Sequence, residues 1–95
     1  MTDSLAAAFP RLSERLKKIS FADLPTPVST IRFDMPEGSR TISIKHDDVS
    51  SARYGGNKIR KLEYLLQRAR ERNARRVATF GAVGSNHALA TAIVG

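Results

Sequence analysis

The chain has 95 residues and a formal net charge of +7, with 41% hydrophobic and 26% charged residues. This length allows one domain at most, and the composition is typical of a globular chain and not of a disordered one. The chain has no cysteine and only two histidines, His46 and His87. Disulfide frameworks, thiolate metal sites and cysteine nucleophiles are therefore excluded, and we expect no metal site.

The sequence carries no sign of membrane insertion or secretion. A membrane-spanning helix needs roughly 18 consecutive apolar residues, and no stretch approaches that length. Residues 1–12 lack the basic start and apolar core of a secretory signal. We therefore expect a cytoplasmic protein without a membrane partner.

The first predicted elements are a short helix and an extended lead-in. Pro10 is tolerated in a first helical turn, and the apolar residues after it recur at helical spacing, which predicts a helix over residues 9–19. The prolines at positions 25 and 27 favour extended geometry in residues 24–27. We assign residues 1–23 to an N-terminal helix and lead-in, and residues 24–95 to the main unit.

A hairpin is predicted next. Residues 28–33 read as a strand, and Ile42 and Ile44 alternate with polar neighbours in a second strand over residues 41–46. The stretch between them, residues 34–39, is dense in turn-forming residues. This pattern indicates a hairpin with a longer loop.

The remaining elements alternate between helix and strand. Apolar residues at helical spacing from Ile59 to about Asn73 predict the longest helix. Residues 77–80 read as a short strand and residues 81–84 as a glycine-rich turn, after which Ser85 caps a helix that runs to Val94. The predicted fold class is α/β, in the order N-terminal helix, β-hairpin, long helix, short strand, glycine turn and helix.

The last predicted helix is apolar where the chain stops at Gly95. It has no basic last turn, and no later element covers Leu89, Ile93 and Val94. Helices this apolar usually cover a sheet whose two faces are both buried. We expect the chain to be a piece of a longer protein, truncated at residue 95.

Lys58 is the most informative single residue of the sequence. At ~100° per residue it lies within roughly 50° of the centre of the helix's apolar stripe. Burial and the positive end of a helix both disfavour a charged lysine, and a neutral amine can form a Schiff base. Gly55 and Gly56 would let a flat ligand approach the backbone. The alternative is a lysine whose stem covers apolar surface while its ammonium reaches solvent.

A second candidate site is the turn over residues 81–87. Glycines before a helix start leave backbone N–H groups free for a carboxylate or phosphate. Ser85, Asn86 and His87 add a hydroxyl, an amide and an imidazole to the same turn. The alternative is a plain capped crossover with His87 as a bystander.

The positive charge is concentrated in residues 53–76, which hold nine Lys/Arg against Glu63 and Glu71. This segment raises nucleic acid as a partner. Base-stacking sites place aromatic side chains among their basic residues, and Tyr64 is the only aromatic residue between Arg60 and Arg76. We therefore interpret the arginines as a solvated helix face and expect no nucleic-acid partner.

Two motifs together indicate a family. The first is Tyr54-Gly55-Gly56-Asn57-Lys58-Ile59-Arg60-Lys61-Leu62-Glu63, and the second is Gly84-Ser85-Asn86-His87. With them, residues 24–95 resemble the N-terminal part of the pyridoxal-phosphate enzymes grouped with 1-aminocyclopropane-1-carboxylate deaminase and D-cysteine desulfhydrase, which are of fold type II. The resemblance includes Thr26-Pro27 and a Lys-x-Asp-Asp segment at Lys45, Asp47 and Asp48.

This resemblance implies a cofactor and roles for five residues. The cofactor is pyridoxal 5′-phosphate, held covalently by Lys58, with Asn86 at its ring hydroxyl and Lys61 reaching its phosphate. Ser85 is implied as a second catalytic residue, and Ser85, Asn86 and His87 as the substrate-binding residues. Many members carry glutamine where this chain has Gly84, so the resemblance leaves the substrate open.

The function implied is that of a deaminase or desulfhydrase, a lyase or hydrolase that acts on a small amino acid such as D-cysteine or 1-aminocyclopropane-1-carboxylate. The resemblance also implies a homodimer for complete members and a chain of 95 residues that is inactive alone. Two alternatives stay open from the residues: a small basic nucleic-acid-associated protein, and a catalytically dead remnant that binds other subunits through its apolar faces.

Overall fold

The computed structural model describes residues 4–95. Residues 1–3, which belong to the predicted segment 1–23, lie outside the described residues. The described part is a mixture of helices and one two-stranded antiparallel sheet. In chain order the elements are α1 (Ser4–Ala8), α2 (Pro10–Ser13), β1 (Val28–Met35), β2 (Gly38–Lys45), a 3-10 turn (Asp47–Val49), α3 (Lys58–Glu71) and α4 (Asn86–Val94). Mixed helix and strand content agrees with an α/β class.

The predicted helix over residues 9–19 is wrong in length. Helix α2 begins at Pro10, as expected, but ends at Ser13. The Ser13 hydroxyl bonds back to the Pro10 carbonyl at 2.7 Å, a local bond that competes with helix continuation. Farther along, the N–H of Ile19 donates to the carbonyl of Glu63 in α3 at 3.1 Å. The chain after Ser13 is therefore held by α3 and not by its own helix.

The hairpin is confirmed, but its predicted long loop is wrong. Strands β1 and β2 pair in register from Val28 opposite Lys45 to Met35 opposite Gly38, which leaves a connection of two residues. Gly38 has φ +126°, a conformation that favours glycine. The turn-forming residues that suggested a longer loop are instead shared between the turn and the strand ends.

One face of the hairpin is apolar and exposed. Residues that alternate along paired strands point to the same face, so Ile31 and Phe33 share a face with Ile42. Ile31 and Ile42 are directly opposite each other, and each keeps half of its surface exposed. The hairpin therefore contributes no residue to the buried core of the described chain.

The core lies where α3 packs against α4. Its buried apolar residues are Ile59 and Leu62 of α3 with Ala90 and Val94 of α4. Partly buried residues pack around them: Phe21, Ala22, Tyr54 and Leu66. Val94, expected to be uncovered, is 8% exposed because it packs into this cluster. Leu89 and Ile93 lie on the exposed side of α4.

The predicted strand over residues 77–80 does not form. Its backbone joins no sheet, because the only sheet in the described part of the chain is the β1–β2 hairpin. A strand needs a neighbouring strand to accept and donate its backbone hydrogen bonds. Phe80 is accordingly 90% exposed. The α3 and α4 predictions are confirmed, each within two residues.

The molecule is extended for its length. Its Cα radius of gyration is 17.1 Å, whereas a compact domain of this length has about 12 Å. The hairpin and the α3–α4 pair share few buried side chains, which explains the shape. The α3–α4 pair is therefore the part whose packing positions the candidate site.

A buried carboxylate fastens the N-terminal lead-in to α3. Glu63 is 1% exposed, and its Oε2 accepts the backbone N–H groups of Phe21 at 3.0 Å and Ala22 at 3.1 Å. Its Oε1 lies 3.6 Å from the Lys18 ammonium. These contacts satisfy a charge that would be costly to bury alone. They hold the segment before the hairpin against α3.

Candidate functional site

A cavity of about 330 Å³ joins the two sequence motifs. It lies where the loop before α3, residues 46–57 with the 3-10 turn included, meets the beginning of α4. Lys58, the first residue of α3, and Asn86, the first residue of α4, both line it. The other lining residues belong to the loop before α3: Asp48, Tyr54, Gly55, Gly56 and Asn57.

The loop before α3 is shaped by its two glycines. A Cβ at Gly55 would overlap the backbone carbonyl of Asp48, so only glycine fits there. Gly56 has φ +129°, which also favours glycine. Its N–H donates to the Asp47 carbonyl at 2.6 Å, and its carbonyl accepts the hydroxyl of the fully buried Ser50 at 2.8 Å. The close approach that requires Gly55 is therefore that of the chain's own backbone.

An ion pair ties the same loop to α3. Arg60 donates through Nε to Oδ2 of Asp47 at 2.9 Å and through Nη2 to Oδ1 at 2.8 Å. The hydroxyl of the buried Thr26 donates to Oδ1 at 2.8 Å, and Lys45 donates to the Thr26 carbonyl at 3.0 Å. The hydrogen bonds from Arg60, and after them the one from Thr26, lower the pKa of Asp47 from 3.8 to about 2. The carboxylate raises the pKa of Arg60 in turn.

The two aspartates of the Lys-x-Asp-Asp segment have different surroundings. Asp47 is turned towards Arg60, whereas Asp48 lines the cavity. Oδ1 of Asp48 lies 3.4 Å from Nδ1 of His46, and Nε2 of His46 lies 2.6 Å from the Ser29 hydroxyl on β1. The start of the loop is therefore connected to both the hairpin and α3.

The beginning of α4 is set by Gly84 and Ser85. Gly84 has φ +88°, and a Cβ at Gly81 would overlap the Ser85 side chain. The Ser85 hydroxyl accepts the N–H of Ala88 at 3.2 Å, so the predicted N-cap is confirmed. This turn directs Asn86 towards the loop before α3, where the Tyr54 hydroxyl donates to its Oδ1 at 3.5 Å.

The structure brings together two of the five predicted site residues and places the others nearby or elsewhere. Lys58 is half-buried and shares the cavity with Asn86. Ser85 adjoins Asn86 and caps the helix, while Lys61 is exposed and does not line the cavity. His87 lines a different cavity of about 160 Å³ between α3 and α4, where its Nδ1 is buried without a hydrogen-bond partner in the described structure.

Sequence reasoning did not single out Tyr54 as a site residue. The only signal was its position directly before Gly55 in the first motif. The structure places it in the site, because it packs against the core and its hydroxyl reaches Asn86. Asp48 was noted as part of a motif but not as a residue of the cavity.

A larger cavity of about 780 Å³ lies elsewhere, beside the C-terminal ends of α3 and α4. Apolar side chains such as Phe21, Leu66 and Val77 line it together with three arginines. None of the predicted site residues lines it. The smaller cavity remains the candidate site because it holds the amine and the amide, which carry the chemistry.

The residues of the smaller cavity fit one end of pyridoxal phosphate. Its volume falls in the ~300–1,000 Å³ range of small-molecule sites. Lys58 offers an amine for the cofactor's aldehyde, and Asn86 offers amide donors for a ring oxygen. The missing side chain of Gly56, which would meet only the Tyr54 ring, leaves room beside them. Lys61 is not part of the cavity, so the cavity itself gives no support for a phosphate contact by Lys61.

Curated relatives match nearly the whole chain. It is 40% identical over 91 residues to a Pyrococcus abyssi protein named "Putative 1-aminocyclopropane-1-carboxylate deaminase", and 43% identical over 77 residues to a Thermotoga maritima protein of the same name. It is 40% identical over 80 residues to the D-cysteine desulfhydrase of Salmonella typhimurium. These matches cover 96%, 81% and 84% of the chain.

The chain spans about a quarter of the length of these relatives: 26%, 25% and 24% respectively. No family profile matches it, and no solved structure matches it. The resemblance based on the two motifs is confirmed: the chain is homologous to a segment of the proteins named 1-aminocyclopropane-1-carboxylate deaminase and D-cysteine desulfhydrase.

Proposed function

We propose that the chain forms the lysine-bearing part of a pyridoxal-phosphate-dependent deaminase or desulfhydrase of fold type II. The observation that carries this proposal is the meeting of Lys58 and Asn86, 28 positions apart in the sequence, in one cavity of about 330 Å³. The relatives' names support the class of enzyme. Because the chain spans about a quarter of their length, the activity is proposed for a protein that contains this chain.

The cofactor, when bound, supplies an electron sink for negative charge that develops next to the substrate's amino group. Lys58 holds the cofactor through its amine and can accept or return a proton at the substrate carbon. Asn86 would donate a hydrogen bond from Nδ2 to a ring oxygen of the bound cofactor. The packing of α3 against α4 orients these two groups relative to each other.

The beginning of α4 suits the substrate. Its first N–H groups and the positive end of the helix favour a carboxylate, and the Ser85 hydroxyl projects from the same turn. Ser85 is the proposed substrate-side catalytic residue; His87 belongs to the same proposed substrate-binding turn, although its imidazole lines the cavity between α3 and α4. The substrate proposed is a small amino acid such as D-cysteine or 1-aminocyclopropane-1-carboxylate, and a homodimer is proposed for the longer protein.

The nucleic-acid alternative receives no support. Arg68, Arg70, Arg72, Arg75 and Arg76 are all exposed, as expected for a solvated face. The curated relatives reported above are named as enzymes of amino-acid chemistry.

No helix among residues 4–95 is long and apolar enough to cross a membrane.

The test is to map where the cofactor attaches. A longer protein that contains the chain is incubated with pyridoxal phosphate, reduced with borohydride, digested, and analysed by mass spectrometry. We expect the label on Lys58, and its loss in Lys58→Ala. Lys61→Ala is the matched control, because Lys61 lies one helical turn away but outside the cavity, and it should keep the label. A label on Lys61 or Lys45 in the wild-type chain would refute the assignment.

A further inference from the structure

Tyr54 connects the hydrophobic core to the cavity. Its ring packs against the buried cluster of α3 and α4, and its Cε1 would lie 3.9 Å from a Cβ at Gly56. Tyr54 also lines the cavity, and its hydroxyl donates to Oδ1 of Asn86 at 3.5 Å. The ring is therefore fixed by packing, and the hydroxyl is held at a defined place beside Asn86.

Asn86 needs such a partner to act in one orientation. Its side chain is exposed, and the Tyr54 hydroxyl is its one hydrogen-bond partner in the described structure. The oxygen and nitrogen ends of an amide are nearly the same size but opposite in hydrogen-bonding character. An amide without a partner would present either end to a ligand. In the structure the Tyr54 hydroxyl donates to Oδ1, and in this arrangement Nδ2 is left to donate to a ligand.

We infer that Tyr54 is a positioning residue, whose hydroxyl holds the Asn86 amide so that Nδ2 donates to the ring oxygen of the cofactor. This inference rests on the proposed function. The ring oxygen is an acceptor, so it is stabilised by Nδ2 and repelled by Oδ1. The distance of 3.5 Å is long for a hydrogen bond, and catalytic hydrogen bonds are often long before a ligand closes the site.

The first experiment compares cofactor binding by a longer protein that contains the chain and by its variants, followed by visible absorbance. Tyr54→Phe removes the hydroxyl and keeps the ring in the core. It should weaken pyridoxal-phosphate binding roughly three- to tenfold, the usual effect of one neutral hydrogen bond. It should also shift the absorbance band of the bound cofactor, because the ring oxygen loses an ordered donor.

Two controls isolate the route through Asn86. Tyr64→Phe removes a hydroxyl from a tyrosine of α3 that lines another cavity, and it should leave binding unchanged. In an Asn86→Ala background, Tyr54→Phe should have no further effect, because the group it positions is gone. An equal effect of Tyr54→Phe with and without Asn86 would overturn the inference.

A second measurement needs no cofactor. The side-chain amide resonances of Asn86, observed by NMR in the ligand-free chain, should shift in Tyr54→Phe and not in Tyr64→Phe. Unchanged Asn86 resonances in Tyr54→Phe would overturn the inference. Lys58 labelling that persists with an unchanged affinity and spectrum in Tyr54→Phe would overturn this inference alone. A longer wild-type protein that contains the chain and is not labelled at Lys58 would overturn the proposed function and this inference with it.

Discussion

The ion pair between Asp47 and Arg60 makes a prediction whose size follows from its geometry. Asp47→Asn keeps the shape of the side chain and removes its charge. The two hydrogen bonds from Arg60, at 2.9 and 2.8 Å, are bidentate, and Thr26 adds a third at 2.8 Å. Charge-assisted bonds of this kind are stronger than neutral ones. The variant weakens all three hydrogen bonds, and with them the contact that holds the loop before α3 against that helix.

The magnitude comes from the shifted pKa. A fall of the Asp47 pKa from 3.8 to about 2 corresponds to about 2 kcal/mol at most. The side chains of Asp47 and Arg60 are 26% and 37% exposed, so solvent screens the pair. We therefore expect Asp47→Asn to lower the free energy of unfolding by about 1 kcal/mol at neutral pH.

The effect has a defined pH dependence. The folded-state pKa of Asp47 is depressed, so the unfolded state binds its proton at a higher pH than the folded state does. The stabilisation is fully present above about pH 5. It declines as the pH falls through 4 towards 2, where the wild-type carboxylate is also protonated. The variant and the wild type should then unfold at similar urea concentrations.

Urea unfolding followed by circular dichroism between pH 2 and pH 7 measures this difference. Asp23→Asn is the matched control, because the Asp23 side chain is exposed and makes no hydrogen bond or ion pair within residues 4–95. It should change stability little at any pH. Equal stability of wild type and Asp47→Asn at pH 7, or a difference that does not change with pH, would refute the reasoning.

Two further predictions concern Glu63 and Ser85. Glu63→Ala leaves the N–H groups of Phe21 and Ala22 without their acceptor, so it should cost about 2 to 3 kcal/mol of unfolding free energy. Glu63→Gln should cost clearly less, because its amide oxygen can still accept these two hydrogen bonds. Equal losses in urea unfolding would contradict this assignment. Ser85→Ala should cost about 1 kcal/mol as a lost cap to Ala88. In a longer protein that contains the chain, the same change should lower kcat far more than the stability loss explains, and near-normal turnover would leave Ser85 as a cap only.

The parts of the fold that the sequence predicted are those with local causes. Helix α3 follows from apolar residues at helical spacing, and the start of α4 follows from Ser85 as a cap. The strand predicted over residues 77–80 needed a neighbour, which local pattern cannot supply. The length of the hairpin loop was overestimated because turn-forming residues also occupy strand ends. Asp34 and Ser39 are examples, since they lie opposite each other in the two paired strands.

The same distinction applies to the contacts around the site. The sequence analysis noted Glu63 and Arg60 only as members of a basic segment and of the first motif, without assigning a partner to either. Both are engaged by segments far away in the sequence: Glu63 by Phe21 and Ala22, and Arg60 by Asp47. Such pairings depend on how the loop before α3 folds back, and no periodicity encodes them.

Lys58 and Asn86 were predicted separately, from two motifs, and their meeting has a physical cause in the core. Lys58 immediately precedes Ile59, and Asn86 lies one helical turn before Ala90. Ile59 and Ala90 are both fully buried in the same cluster. The contact that buries these two side chains therefore also fixes where the first residues of α3 and α4 lie. The same contact between α3 and α4 therefore sets both the packing of the core and the position of the Lys58 amine relative to the Asn86 amide.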